Sequence, residues 1–514
     1  MSSMTPLLKP DVTLSLTLSP SSPSPHDQTL KPEERGIRLI QLLLKCAKHA
    51  SSGNLHRADA CLLEISVLSS ILGDCMQRLA ARFASALAFR LVKRWPGIHK
   101  ALNQAQQPKV DLDRAKLLFT RTFPYLSFVY AIIAKTLLLA MANERVIHIV
   151  DLGSGDSQLW VALLRGFANS PHGPPHSKIT CVNGSKAILE KLGQRLVKEA
   201  ESVGVPFQFS SINASLRELT KDMFRAGSGE ALAFVSILNL HVLLSEDDQV
   251  AAHFGVNKSV DGIKDCKQIG DFLAMIRSMS PTLLFVVEQE ADHNLNRLVD
   301  RFVEGLNYYS AVFDSIDATL ASNLAGDERL ILEEMFGREI ENIVACEGPE
   351  RIERHERFAR WVVRLAQAGF KPVRFWHDSG EDAKQIMDAF GKNGYKAVLE
   401  RTALYIWEQT HRTFILLFLS LRPGGLSISL AGGQGQVVGG RVAGPLMAAS
   451  SAINAVYDRL PLEEDRESVP YISRVGDGGN DGSSGVGGVP FYNLGVNGVG
   501  GDHMFTSSAG LHFK

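Results

Sequence analysis

Cysteine is sparse in this sequence. There are six in 514 residues, and Cys46, Cys61, Cys75, Cys181, Cys266 and Cys346 lie far apart. No Cys-x-x-Cys pair occurs, so they read as buried thiols of a reducing compartment. Net charge is nearly absent too: 54 Lys and Arg face 55 Asp and Glu, a formal net charge of -1. That balance supplies no global field to attract nucleic acid, and no run of Lys and Arg marks a basic patch or an import signal. The longest apolar runs, around Ala131–Ala142 and Phe414–Leu421, are too short to span a bilayer or are broken by Lys135. No charged-then-apolar leader opens the sequence. These absences lead us to expect a soluble, intracellular protein. Three catalytic signatures are also missing: a Gly-x-Ser-x-Gly elbow, a Gly-Lys-Ser/Thr phosphate loop and a Cys/His nucleophile arrangement.

What the sequence does contain is organised around Val146–Trp160. An apolar run of strand length ends at Asp151, a Gly-x-Gly turn follows at Gly153 and Gly155, and an amphipathic helix begins near Gln158. Strand, glycine turn and helix open a doubly wound sheet. Further apolar runs at 177–183, 205–210, 230–238 and 281–290 alternate with helical periodicity at 187–203 and 267–279. Such a rhythm predicts an α/β fold whose parallel sheet is covered on both faces.

Around this core the predicted organisation has three parts. Residues 1–32, rich in Ser, Pro and Thr, form a disordered N-terminal segment. Residues 33–422 form the folded domain. Within it, 33–110 make an α-helical cap joined by about 296–340, and 111–422 make the α/β core. Residues 423–514, with recurrent glycine pairs, read as a flexible Gly-rich tail. The cap begins with three helices between 33 and 95. Asp74 with Gln77 is a capping pair for the third, and Pro96-Gly97 is its stop. Leu39-Ile40-Gln41-Leu42-Leu43 fits a partner-docking Leu-x-x-Leu-Leu pattern, but core packing explains it better. A helical stretch spans 111–143. Residues 349–369 read as one helix whose alternating charges, Arg351 through Arg357, form a solvated face. A strand at 371–376, a helix at 382–390 and three closing antiparallel strands at 395–401, 403–408 and 413–421 complete the domain. In the N-terminal segment Leu14, Leu16 and Leu18 alternate with polar residues. An extended chain would present all three on one edge, suited to a partner's groove, and chance in a low-complexity tail is the alternative.

Two chemistries are open to these residues. Asp151, Gly153 and Gly155 meet the first demand of an S-adenosylmethionine site, but Ser157 stands at the next small position. The second strand ends at Asn183, where a ribose-binding carboxylate belongs. A methyltransferase is therefore the alternative function. His172 and His176 are four apart, yet the prolines and glycine around them make a loop with no nearby carboxylate or thiol, a poor metal site. His148 reads as a satisfied core histidine. Asp151 should accept hydrogen bonds from the glycine-turn amides. No cofactor and no metal are assigned.

Several motifs together resemble the plant GRAS family of transcriptional regulators. Ile147-His148-Ile149-Val150-Asp151 resembles its Val-His-Ile-Ile-Asp motif, and Arg351-Ile352-Glu353-Arg354 its Arg-Val-Glu-Arg motif. The stretches Leu42–Ala47 through Gln77–Ala80 resemble its first leucine-rich region. Leu240-His241 with Glu246-Asp247-Asp248 falls within the second. Leu306–Ala311 and Arg354–Arg357 resemble the surroundings of its Pro-Phe-Tyr-Arg-Glu motif. The resemblance covers roughly 30–412 and implies a methyltransferase-like (Rossmann-type) core with a helical cap. It also implies a nuclear, non-enzymatic role in development and gibberellin response. Partners would be other GRAS proteins and zinc-finger transcription factors, with DNA reached indirectly. Leu14, Leu16 and Leu18 then resemble an EAR motif that recruits Topless-type corepressors. The motif residues Ile147–Asp151, Arg351, Glu353 and Arg354 become candidates for partner binding. One departure stands out: the family's closing Ser-Ala-Trp would fall at Phe418-Leu419-Ser420, although Trp407 is kept.

Overall fold

The computed structural model describes residues 31–105, 112–245, 266–320, 326–372, 395–400, 403–408, 411–420, 427–431 and 437–441. Leu14, Leu16, Leu18, Glu246–Asp248 and the helix expected at 382–390 lie outside them. Among the described residues, no single helix is long and apolar enough to cross a membrane.

The sheet is built from β1 (Val146–Asp151), β2 (His176–Val182), β3 (Phe207–Ile212), β4 (Ala231–Ile237) and β5 (Leu283–Gln289), all parallel. It continues through β6 (Lys371–Pro372), β7 (Tyr395–Glu400), β8 (Ala403–Glu408) and β9 (His411–Ser420). The order is β3-β2-β1-β4-β5-β9-β8-β7, with β6 also on β9, and β9 runs antiparallel to β5. Alternation along each strand divides two cores. Ile147, Ile149, Ala233, Val235, Phe285 and Val287 face one, and Val150, Phe234, Leu284 and Val286 face the other. β4 and β5 are buried along their whole length, whereas β3, at the edge, alternates Phe207 and Phe209 with more exposed Gln208 and Ser211. That is why the central strands read as unbroken apolar runs.

On the first face lie α6 (Pro124–Ala140), α7 (Gln158–Ala168) and α8 (Lys186–Val203), whose apolar stripes meet that core. Above them sit α1 (Pro32–Ser51), α2 (Leu55–Leu68) and α3 (Cys75–Val92). Leu39, Leu42 and Leu43 of α1 are buried, so the Leu-x-x-Leu-Leu pattern is core. Asp74 and Gln77 form the reciprocal capping box at the start of α3. The opposite face is covered by α9 (Lys267–Ser278) through Ile269, Phe272 and Ile276.

The long segment after β5 returns to the first helices. α10 (Leu298–Thr319) and α11 (Gly326–Ala345) pack on α1 and α3, with Phe83 edge-on to Phe302 at 5.2 Å between ring centres. Arg78 of α3 donates from Nε to Glu333 of α11 at 2.7 Å, and both are buried.

Two expectations about helix boundaries change. Pro96 does not merely stop α3; it opens α4 (Pro96–Ala105), because a proline's fixed φ and missing N–H suit a first helical turn. The 111–143 stretch is two helices, α5 (Leu112–Thr122) and α6, separated at Phe123 by Pro124 for the same reason. Within the Gly-rich tail the described residues form one antiparallel pair, β10 (Ser427–Ala431) with β11 (Val437–Arg441).

The largest correction is at 349–369. The single charged helix is a short 3-10 turn at Gly348–Glu350, an irregular segment at 351–357, and a helix only from Phe358 to Gln367, α12. Arg351, Arg354 and His355 are fully buried and Glu356 is 1% exposed, so this is no solvated face.

Candidate functional site

The glycine turn after β1 is the first place to look for chemistry. Asp151 is buried at the strand end, where its Oδ1 accepts from the Gly153 and Ser154 amides at 3.1 and 2.8 Å. Its Oδ2 accepts from the Trp160 indole at 2.9 Å and from the Ser154 hydroxyl. Burial pushes the Asp151 carboxyl up, against these donors. The acid thus organises its own turn, as expected from the sequence. Gly153 has φ +112°, and a Cβ there would lie 2.3 Å from Asn239 Nδ2, which itself donates to the Leu152 carbonyl at 2.6 Å. Gly155 has φ +65°, with Asn183 Nδ2 at 3.2 Å from where its Cβ would be. Asn183 Oδ1 accepts from the Ser185 amide at 2.8 Å. The close approach that glycine permits here is taken by the chain's own asparagines. These residues do not fit S-adenosylmethionine. Asparagine stands at the ribose position with its oxygen engaged, and the turn is packed from within.

The neighbouring motif residues are equally internal. His148 donates or accepts through Nδ1 with Glu230 at 2.9 Å and Nε2 with Thr180 at 2.8 Å, a fully satisfied core histidine. Burial, then Lys178, lower its pKa to about 4, with Glu230 opposing. Ile147, Ile149 and Val150 are fully buried. As candidates for direct partner contact, Ile147, His148, Ile149, Val150 and Asp151 are corrected: all five side chains are buried.

Arg351 and Arg354 are corrected likewise, since both guanidinium groups face inward. Arg351 donates to the His293 carbonyl at 3.0 Å. Arg354 donates to the carbonyls of Arg351 and Gly348, each at 2.9 Å, and to Asn294 Oδ1 at 3.1 Å. Beside them Glu356 accepts two bonds from Arg364, at 2.7 and 2.8 Å, in a buried pair. A segment without regular hydrogen bonding can be buried only if its backbone groups find other partners; Arg354 donates to the Arg351 carbonyl, and the His293 and Asn294 amides donate to the His355 carbonyl. Asn342 Oδ1 adds bonds to the Ile352 and Glu353 amides, at 2.8 and 2.9 Å.

Glu353 belongs to a second cluster that sequence reasoning missed. Its Oε2 lies 3.1 Å from His241 Nε2 and 3.3 Å from His355 Nε2. Glu288 holds His241 Nδ1 at 2.8 Å and accepts the Leu240 amide at the same distance. His293 and His355 meet through Nδ1 at 2.9 Å. Burial works against a charge on His241, but Glu288 and Glu353 outweigh it and raise its pKa to about 10. Burial lowers His293 and His355. No spacing could have revealed this cluster, because His241, His293 and His355 come from three separate segments. The sequence hint was only that Leu240-His241 and Arg351–Arg357 both fall in family motifs. His172 and His176 instead line a cavity of about 630 Å³ with Phe167 and Glu144, away from the cluster.

A parallel sheet in this order, with an acid and a glycine turn after its first strand and a helical layer above, is a methyltransferase-like fold. A GRAS domain family model matches residues 39–415, so the chain belongs to the GRAS family. It is 36% identical to scarecrow-like protein 3 of Arabidopsis thaliana, over 76% of this chain and 90% of that protein. It is 33% identical to DELLA protein RGL1 of the same plant, over 74% and 69%. Among solved structures it is similar to SCL7 of Oryza sativa. There the identity is 27%, the TM-score 0.61, and the match covers 74% of this chain and 99% of that one.

Proposed function

We propose that the protein is a nuclear transcriptional coregulator of plant development and gibberellin response that works through protein contacts. Its partners on this reading are other GRAS proteins and zinc-finger transcription factors, and DNA is reached through them. The observation that carries the reading is the glycine turn of a GRAS-family chain packed by Asn239 and Asn183. A turn closed in this way holds the shape of a fold rather than a cofactor. The near-zero net charge supports indirect contact with DNA. The division into a helical cap, 33–110 with 296–340, and a core, 111–422, is part of the proposal. So is the Leu14-Leu16-Leu18 edge as a corepressor-docking segment.

Affinity purification of the tagged full chain from plant nuclear extract tests the main claim. Recovery of a GRAS protein or a DNA-binding factor is expected, and a clean preparation lacking both would count against it. Changing Leu14, Leu16 and Leu18 together to alanine should relieve repression in a reporter assay, and unchanged repression would remove the docking claim. Methyl transfer is the alternative. Titration calorimetry of the folded chain with S-adenosylmethionine should show no binding, and micromolar binding lost in Gly153→Val would restore that reading.

A further inference from the structure

We propose that His241, Glu353 and His355 form a binding site for a zinc-class divalent cation, with His241 Nε2, His355 Nε2 and Glu353 Oε2 as its ligand atoms. Among the described residues this is the group of side chains whose potential ligand atoms all lie within 4.8 Å of one another. Zinc bound by nitrogen and oxygen at about 2.0–2.1 Å in a tetrahedron separates adjacent ligand atoms by roughly 3.3 Å. The two separations from Glu353 Oε2, 3.1 and 3.3 Å, match that spacing. His355 Nε2 is buried, faces Glu353, and makes no aligned hydrogen bond. At 3.3 Å and out of line the contact is a poor hydrogen bond, whereas ligation of one ion by both atoms accounts for their approach.

The surroundings have the form that a metal-ligating histidine requires. A ligating imidazole normally hands its other N–H to a carboxylate or another acceptor, which fixes its tautomer. Glu288 stands 2.8 Å from His241 Nδ1, and His293 Nδ1 stands 2.9 Å from His355 Nδ1. With protons on both Nδ1 atoms, both Nε2 lone pairs point toward Glu353. Two carboxylates, Glu353 as ligand and Glu288 behind His241, balance the charge of a divalent ion. Glu353 is the member that reaches solvent, with 18% of its side chain exposed against 5% and 0% for His241 and His355. Two imidazoles and one carboxylate suit zinc in preference to calcium or magnesium, which take oxygen ligands. The ion would join the turn after β4 to the segment before α12 across 112 residues of sequence. The competing occupant is a proton on His241 Nε2, which would hold Glu353 by a hydrogen bond and leave His355 unused.

The test uses the full chain, stripped with a chelator and dialysed against zinc alone. One zinc per chain is expected by elemental analysis, with a higher melting temperature than the stripped protein. Cobalt in its place should give tetrahedral visible bands without the near-ultraviolet band of thiolate ligation, since the six cysteines are the rival donors. Glu353→Gln and His355→Gln, shown folded by circular dichroism, should weaken zinc binding at least tenfold. Glu288→Gln, a positioning change behind His241, should weaken it roughly 10–100-fold and shift the cobalt bands. A well-folded chain that retains no zinc would overturn the proposal. So would a thiolate band, or folded variants that hold zinc as the parent does. If the variants do not fold, the cobalt spectrum of the parent decides alone.

Discussion

Asp151 shows how one side chain sets local structure. Five donors converge on its carboxylate: the Gly153 and Ser154 amides, the Ser154 hydroxyl, the Trp160 indole and, more weakly, the Cys181 thiol. Asp151→Asn puts an NH₂ where an acceptor is needed, leaving at least one buried donor unpaired at a cost of about 1–3 kcal/mol. We expect thermal melting to fall by several degrees while partner binding by the folded fraction is kept. Equal melting temperatures would contradict this account. His148 supplies a pH signature. Its pKa is about 4 when folded and about 6.5 when unfolded. Between those values the unfolded chain binds more protons, so stability rises with pH. The contribution is full above about 6.5 and is lost as pH falls toward 4, a loss on the order of 3 kcal/mol. Glu230, which burial raises but the Gly227 amide, Lys178 and His148 together lower, is lost in the same direction. Melting curves from pH 7 to 4.5 should therefore fall more steeply for the parent than for His148→Gln, and parallel curves would refute the assignment.

At the scale of elements, the 351–357 segment shows that a charge pattern does not reveal where charges lie. Arg351, Glu353, Arg354, Glu356 and Arg357 would balance equally well on a helix face or inside the fold. Which occurs depends on His293 and Asn294, some 60 residues away, and on Asn342 and the turn at Gly348. The consequence is measurable. Glu356→Gln removes the partner of Arg364 in a pair only 2% and 5% exposed, and should cost about 3–5 kcal/mol in chemical denaturation. Arg38→Ala removes an ion pair exposed by 51% and 48%, and should cost no more than about 1 kcal/mol. Similar losses for the two would mean that the buried pair is not an anchor.

For the whole molecule, the sheet depends on its last described long strand. β9 covers the open side of β5, pairing residues 284–289 with 414–419. Without it, a fully buried apolar strand becomes an exposed edge, a template for aggregation. Deletion of 411–420 should abolish soluble, monodisperse expression, as judged by size-exclusion chromatography. A soluble, unaggregated deletion variant would show that β9 is dispensable. The Phe418-Leu419-Ser420 departure from the family motif is therefore compatible with pairing: Phe418 sits opposite Phe285 in the ladder.

Local patterns sufficed for the parts of the protein that short-range physics controls. Strand–turn–helix at 146–168, the alternating strands and helices to residue 290, the capping box at Asp74 and the hydrogen bonding of Asp151 all follow from neighbours a few residues away. Motif strings were enough for the GRAS family, because they combine many such local constraints. The burial of Arg351 and Arg354, the asparagines that close the glycine turn and the His241–Glu353–His355 cluster were not legible. Each depends on contacts between residues 28 to 112 positions apart, and nothing in a one-dimensional pattern says which polar groups will meet. Only the folded sheet, by placing the turn after β4 against the segment before α12, brings those side chains to within hydrogen-bonding distance and turns dispersed charges into a buried network.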